Sequence, residues 1–275
     1  KTKALEAYQE AGEDPKALEC IPMLKRSDIK REAAKIINEE LTVDDSLFLY
    51  HDVCTNGIGY VDLMFKTDSI APEQIPYLGL LKSVLGYVDT ENYTYGELFN
   101  EINANTGGIN CGVEVFDRAD STEEFQAMFS VRGKALYTKM DFLFKMIGEI
   151  LNSSKLEDTK RLYEIVASVK SRAQVNLTGA GHSTAVLRAA AYSSPMAAFQ
   201  DEMAGIGYYQ FIEKLEKDFE QRKEETVEEL CKLMKKILRP ENFMISYTGE
   251  RESLETVQKL AGAVKAGLGT EPVEK

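Results

Sequence analysis

Only two side chains in the sequence are imidazoles, His51 and His182. A catalytic zinc takes three protein ligands and keeps one position open, and two of those ligands commonly sit one turn apart on a helix. His51 falls in the strand-like run SLFLYHDV (46–53) and His182 in the glycine loop GAGHS (179–183). Neither H-E-x-x-H nor H-x-x-E-H occurs, so spacing assigns no metal ligand. No G-x-S-x-G elbow is present either, which leaves a Ser–His–Asp or Cys–His set without support. GAGHST (179–184) lacks the lysine of a phosphate loop and follows a helix rather than a strand; it reads as a turn in which Ser183 caps the next helix. Gly205-Ile206-Gly207 has no strand before it and reads as the entry turn of a long helix. Gly107-Gly108 reads as a helix C-cap. It would also permit close backbone approach, as by a peptide adding to a sheet edge.

By residue chemistry alone the chain is non-catalytic, and composition narrows the partners. Of 275 residues, 44% are apolar and 28% charged, with a net charge of −12. Such a chain is globular, and its charge argues against nucleic acid, which requires a basic face. Cys20, Cys54, Cys111 and Cys231 show no C-x-x-C spacing and read as mostly buried free thiols in a reducing compartment. No apolar run approaches the roughly eighteen residues of a membrane span. The first residues resemble the tail of a helix under way and the last, GTEPVEK, a linker; both ends suggest a piece of a longer protein.

Several elements must position whatever function exists. Residues 1–40 read as helical pieces broken at Gly12 and Pro22, with Ser27 opening a helix to about Glu39. Strands follow at 46–53 and 58–70, joined through Asn56-Gly57, a strong hairpin signal that predicts an antiparallel pair. His51 then reads as a sheet-edge residue. Helices are predicted from Pro72 to Val88 and after Thr94, then strands at 109–116 and 123–133. Helices over 137–151, 156–178 and 183–193 lead into the stretch Met203–Leu238. That stretch reads as one long helix or a bent pair, with a solvated middle over Lys217–Glu229. A strand at 242–248 and a helix at 253–267 complete the order. The pattern predicts an α+β, two-layer sandwich. Its mostly antiparallel sheet has about five to six strands, with helices largely on one face and a helical insert at about 155–240.

Four stretches carry a resemblance to a known family. YQEAGEDPKALECIPMLKRSDI (8–29) is similar to a helical-hairpin linker, and YHDVCTNGIGYVDLMFKT (50–67) to the opening strands of the module that follows it. YGELFNEINANTGGI (95–109) is similar to that module's helix-to-strand turn. AGHSTAVLRAAAYSSPMAAFQDEMAGIGYYQFIEKLEK (180–217) resembles its helical insert. Together, over residues 5–260, they resemble the presequence-peptidase branch of the pitrilysin/insulinase family of zinc metallopeptidases, the inverzincins.

The resemblance implies four related α+β modules in two halves, closing around a chamber where short unstructured peptides are cut. The first module bears H-x-x-E-H and a distal Glu; later modules keep the fold and lose the metal. Residues 1–40 would then be the end of the linker and residues 41–275 the third, non-catalytic, metallopeptidase-like module. Where the active module bears its motif, this chain has Pro76-Tyr77-Leu78-Gly79-Leu80-Leu81-Lys82-Ser83-Val84, with neither His nor Glu. So no catalytic residue and no metal ligand is carried over. Asn105, Thr106, Gly107 and Gly108 are the residues expected to border the substrate chamber. The implied partners are the other modules of the same polypeptide and a peptide substrate, with no nucleic acid and no membrane. Zinc belongs to the full-length protein, not to this part. The implied compartment is a bacterial cytoplasm, with an organellar matrix as the alternative. A stand-alone structural subunit or peptide-binding module on the same fold is the alternative function.

Overall fold

Alternation along Phe243–Gly249 buries Phe243, Ile245 and Tyr247 on one side and leaves Met244, Ser246 and Thr248 on the other. In the structure, a computed structural model that describes residues 1–12, 14–33 and 35–271, this strand lies inside the sheet. The chain divides into two units, Lys1–Ile36 and Ile37–Lys275. The first unit holds α1 (Thr2–Glu10) and α2 (Pro15–Leu18), with Asp14 capping α2, and no residue of either helix is buried. A single 3-10 turn, Arg26–Asp28, replaces the helix that Ser27 is expected to open toward Glu39. Ile29, Ile36 and Ile37 are exposed, so the segment has no apolar face packed to hold helical geometry, and short isolated helices are marginal. The linker-like end from residue 272 lies outside the described residues.

The second unit contains the whole sheet: β1 (Glu39–Val43), β2 (Ser46–Asp52), β3 (Ile58–Lys66), β4 (Ile109–Arg118), β5 (Ser121–Leu136) and β6 (Phe243–Gly249). Their spatial order is β1-β2-β6-β3-β5-β4. Only the β2·β6 pair is parallel. The helices are α3 (Ile75–Val84), α4 (Tyr95–Asn105), α5 (Met140–Ser153), α6 (Thr159–Gly179), α7 (Gly181–Ala190), α8 (Pro195–Ala204), α9 (Ile206–Lys217), α10 (Phe219–Ile237) and α11 (Leu254–Ala266). One core unites them with one face of the sheet. Phe48, Tyr50, Leu63, Phe65, Phe129, Val131, Ile245 and Tyr247 pack with Leu78, Leu81, Met140, Leu143, Ile147 and Val257. The expected α+β sandwich is therefore present, with helices on one face of a mostly antiparallel sheet.

Two local expectations fail for tertiary reasons. The Asn56-Gly57 turn forms, with φ of 53° and 81°, but β2 and β3 do not pair. β6 lies between them. Tyr247 stacks on Tyr50 at 6.1 Å, and the Glu250 carboxylate, just past β6, accepts from the backbone N–H groups of Thr55, Asn56 and Gly57 at 3.1–3.3 Å. The turn signal is local, and a strand nearly two hundred residues on takes the space. β1 escapes sequence reading because EELTV offers little apolar content. It displaces β2 from the sheet edge, so His51 is not an edge residue.

The long stretch Met203–Leu238 is also not one helix. It breaks at Gly205 and again at Asp218. Buried Asp201 organises the first break: it accepts from Ile206 N–H at 3.0 Å and Gly207 N–H at 3.2 Å, and pairs with Arg188 at 2.6 Å. The carboxylate satisfies donors at the start of α9 that would otherwise be unpaired. The polar middle is only partly solvated. Thr226 is fully buried, Tyr77 donates to Glu225 at 3.1 Å and Gln74 to Glu229 at 3.0 Å. Those bonds tie α10 to α3 and to the turn before it. The cysteines are free, but Cys20 and Cys54 are exposed and Cys111 and Cys231 half-buried, so the thiols are less buried than expected.

Candidate functional site

Two adjoining recesses lie at the β4 end of the sheet. Both begin where α4 stops. Thr94 and Glu97 form a capping box that starts α4. At its other end Thr106 donates to the Ile102 carbonyl at 2.7 Å and accepts from Gly108 N–H at 3.0 Å. Gly107 N–H donates to the Lys134 carbonyl at 2.7 Å, which anchors the pair to β5. Gly108 has φ of +105°, a conformation that side chains strain to adopt, so glycine is required there.

The first recess, of about 390 Å³, lies on the sheet face opposite the helices, between Gly107-Gly108 and residues of β3, β5 and β6. At its centre Arg132 donates to Asp62 at 2.8 Å and approaches Glu114 at 3.1 Å. Burial pushes the Asp62 carboxyl up from its ordinary value, with Arg132 opposing. Asp62 Oδ1 and, on the same face, Ser130 Oγ are buried without a hydrogen-bond partner in the protein. Tyr60, Ser246 and Thr248 complete the rim.

The second recess, of about 520 Å³, is a groove along β4. Every residue from Gly108 to Glu114 lines it. Successive strand residues point to opposite faces, so a run of consecutive ones shares a groove only along the strand's edge. Lys82 and Ser83 of α3, Ile102 and Asn103 of α4, and Arg172 of α6 form the opposite wall. Gly86, with φ of +86°, ends the α3 segment and lets the chain turn beneath the groove.

The four residues expected to border a substrate path do not act together. Gly107 lines the face recess, and Gly108 lines both. Asn105 is instead held by Glu101 and Lys139, and the Thr106 hydroxyl closes the α4 cap. Sequence reasoning missed Lys82, Arg172, Asp62 and Arg132. Lys82 has a visible signal as the one charge in the apolar helix IPYLGLLKSV.

No metal chemistry is built on the side chains of this region. α3 buries Pro76, Tyr77, Leu78, Gly79, Leu80, Leu81 and Val84 and presents no His, Cys, Asp or Glu. His51 approaches the Ile37 carbonyl at 2.8 Å and Ser246 at 3.3 Å, while His182 stands exposed in the first turn of α7. Among the described residues no three His, Cys, Asp or Glu side chains gather as a metal site. The residues present do not fit a zinc ion.

A family model for a domain associated with the C subgroup of M16 peptidases matches residues 1–215. The chain belongs to that peptidase-associated family. Among its relatives, Protein HypA of Clostridium perfringens (strain 13 / Type A) is 35% identical over 257 residues, 94% of this chain and 26% of the relative. Presequence protease 1, chloroplastic/mitochondrial, of Arabidopsis thaliana is 27% identical over 258 residues, 94% of this chain and 24% of the relative. This member of the peptidase-associated family thus spans about a quarter of the length of these relatives. Its fold is like that in a crystal structure of a peptidase M16 inactive domain from Pseudomonas fluorescens. The TM-score is 0.56 at 15% identity, covering 86% of this chain and 52% of that one.

Proposed function

We propose that this chain is a non-catalytic module of a zinc-dependent metalloendopeptidase that degrades short unstructured peptides, and that it contributes wall and closing face to an enclosed chamber. The observation that carries the reading is α3. It follows the β3 strand, where the resembled peptidases place their inverted zinc motif, and here it is a core helix with seven buried residues and no ligand-type side chain. In this reading residues 1–40 are the end of a linker and residues 41–275 the module, with the helical insert at about 155–240. Gly107 and Gly108 border the peptide path through the face recess. Asn105 and Thr106 hold the turn that presents them. Zinc is supplied by another module of the same polypeptide, which works in a bacterial cytoplasm or, alternatively, an organellar matrix.

Metal analysis and a peptidase assay test this. The purified chain is expected to hold no stoichiometric zinc and to leave an unstructured peptide intact. One zinc per chain with chelator-sensitive cleavage contradicts the reading.

A further inference from the structure

The outer edge of β4 has unused backbone and a charge that does not match the rest of the molecule. Among the described residues, no backbone group of Ile109–Arg118 is hydrogen-bonded outside the β4·β5 ladder. A strand edge with open N–H and C=O groups is a template for another strand. Here the edge is the floor of a groove, and the groove is long enough to be lined by seven consecutive residues, Gly108 to Glu114.

The wall opposite carries Lys82 and Arg172. Neither forms an ion pair within 4.0 Å among the described residues, although the chain has 45 acidic and 33 basic side chains. Glu114 is the one carboxylate on the lining. It supports the charge of Lys82 but takes its close contact with Arg132. Burial disfavours the charged form of Lys82, and a carboxylate brought into the groove would restore it. An acidic protein thus keeps two unpaired cations beside its one long open strand edge.

We propose that this groove binds an extended peptide in trans. The peptide adds as a further strand beside β4, with an acidic side chain directed toward Lys82 and Arg172. Backbone pairing supplies register and sequence tolerance, and the two cations supply the preference for a carboxylate. Alternate side chains of the peptide face the helix layer, so one acidic residue suffices. The inference stands on β4, α3 and α6 and does not require that the whole protein be a peptidase.

The test uses the intact 275-residue chain and a fluorescein-labelled, C-terminally amidated peptide of about eight residues alternating Thr and Val with one central Glu. Fluorescence anisotropy is read for this peptide, for its Gln counterpart, and for a version N-methylated on the edge that would face β4. The Glu peptide is expected to bind about tenfold more tightly than the Gln peptide, and the N-methylated one to lose binding. Arg172→Met lies on an exposed position and Lys82→Met on a half-buried one. Each is expected to erase most of the Glu-over-Gln preference, with circular dichroism confirming the fold, and Arg172→Met serves if Lys82→Met fails to fold. Equal binding of Glu and Gln peptides, undiminished binding of the N-methylated peptide, or no binding of the Glu peptide overturns the proposal.

Discussion

β1 and β4 are both edge strands, yet β1 runs for five residues and β4 for ten. β1 carries Glu39 and Glu40, and Arg251 fastens its start through Glu39 at 2.6 Å while the Lys265 ammonium reaches the Asp44 carbonyl just beyond its end. Short length and charge are how proteins keep an edge from pairing. β4 has neither protection along Ile109–Val113, and it lies beside a walled groove. The difference separates an edge built to end the sheet from one left open to extend it.

The comparison breaks most severely if the strand that carries β4 loses its anchor. Phe129 is fully buried in β5, between Phe65 of β3 and Val113 of β4. Phe129→Ala is expected to cost about 3–5 kcal/mol in urea unfolding, whereas Leu41→Ala on half-buried β1 costs about 1–2 kcal/mol. Next comes the groove wall. A Cβ on Gly79 of α3 would meet the Met203 carbonyl oxygen at 2.6 Å and the Tyr208 ring at 2.7 Å. Gly79→Val therefore pushes α3 off α8 and α9, at about 1–3 kcal/mol, and weakens peptide binding at β4 through displaced Lys82.

The wedge that sets β1 at the far edge is sensitive to acid. Glu250 has its carboxyl lowered from 4.5 to about 2, first by the Tyr137 hydroxyl and then by smaller contributions that include the Gly57 and Thr55 N–H groups. Its contribution to stability is complete above pH 4.5 and is lost as the pH falls toward 2. Thermal midpoints of Glu250→Gln are expected to be lower than those of the parent above that range and to converge with them below it; parallel curves would contradict the assignment. The smallest change in stability belongs to Glu40→Val on the exposed side of β1. Its expected effect is concentration-dependent self-association in size-exclusion chromatography, because it removes an edge guard.

Much of this contrast is hidden in the sequence. The period-two runs of β3 and β5 and the capping box of α4 are local features, and they carry the α+β class and most elements. Pairing is not local. Asn56-Gly57 marks a turn whether or not its flanks pair, and the insertion of β6 depends on Tyr50, Tyr247 and Glu250 meeting across the fold. β1 is invisible because its sequence is polar, which is also what makes it a guarded edge. At the site, Gly107 and Gly108 are legible because helix ends and positive φ leave a glycine signature. Lys82, Arg132 and Arg172 are not, since which charges face a groove is decided by packing among α3, α6 and β4.

Hydrogen exchange of the intact chain, with and without the glutamate peptide, tests the difference between the two edges most directly. The account predicts added protection at amides within Ile109–Glu114 and none within Glu39–Val43. Equal protection at both edges, or protection at β1 alone, would contradict it.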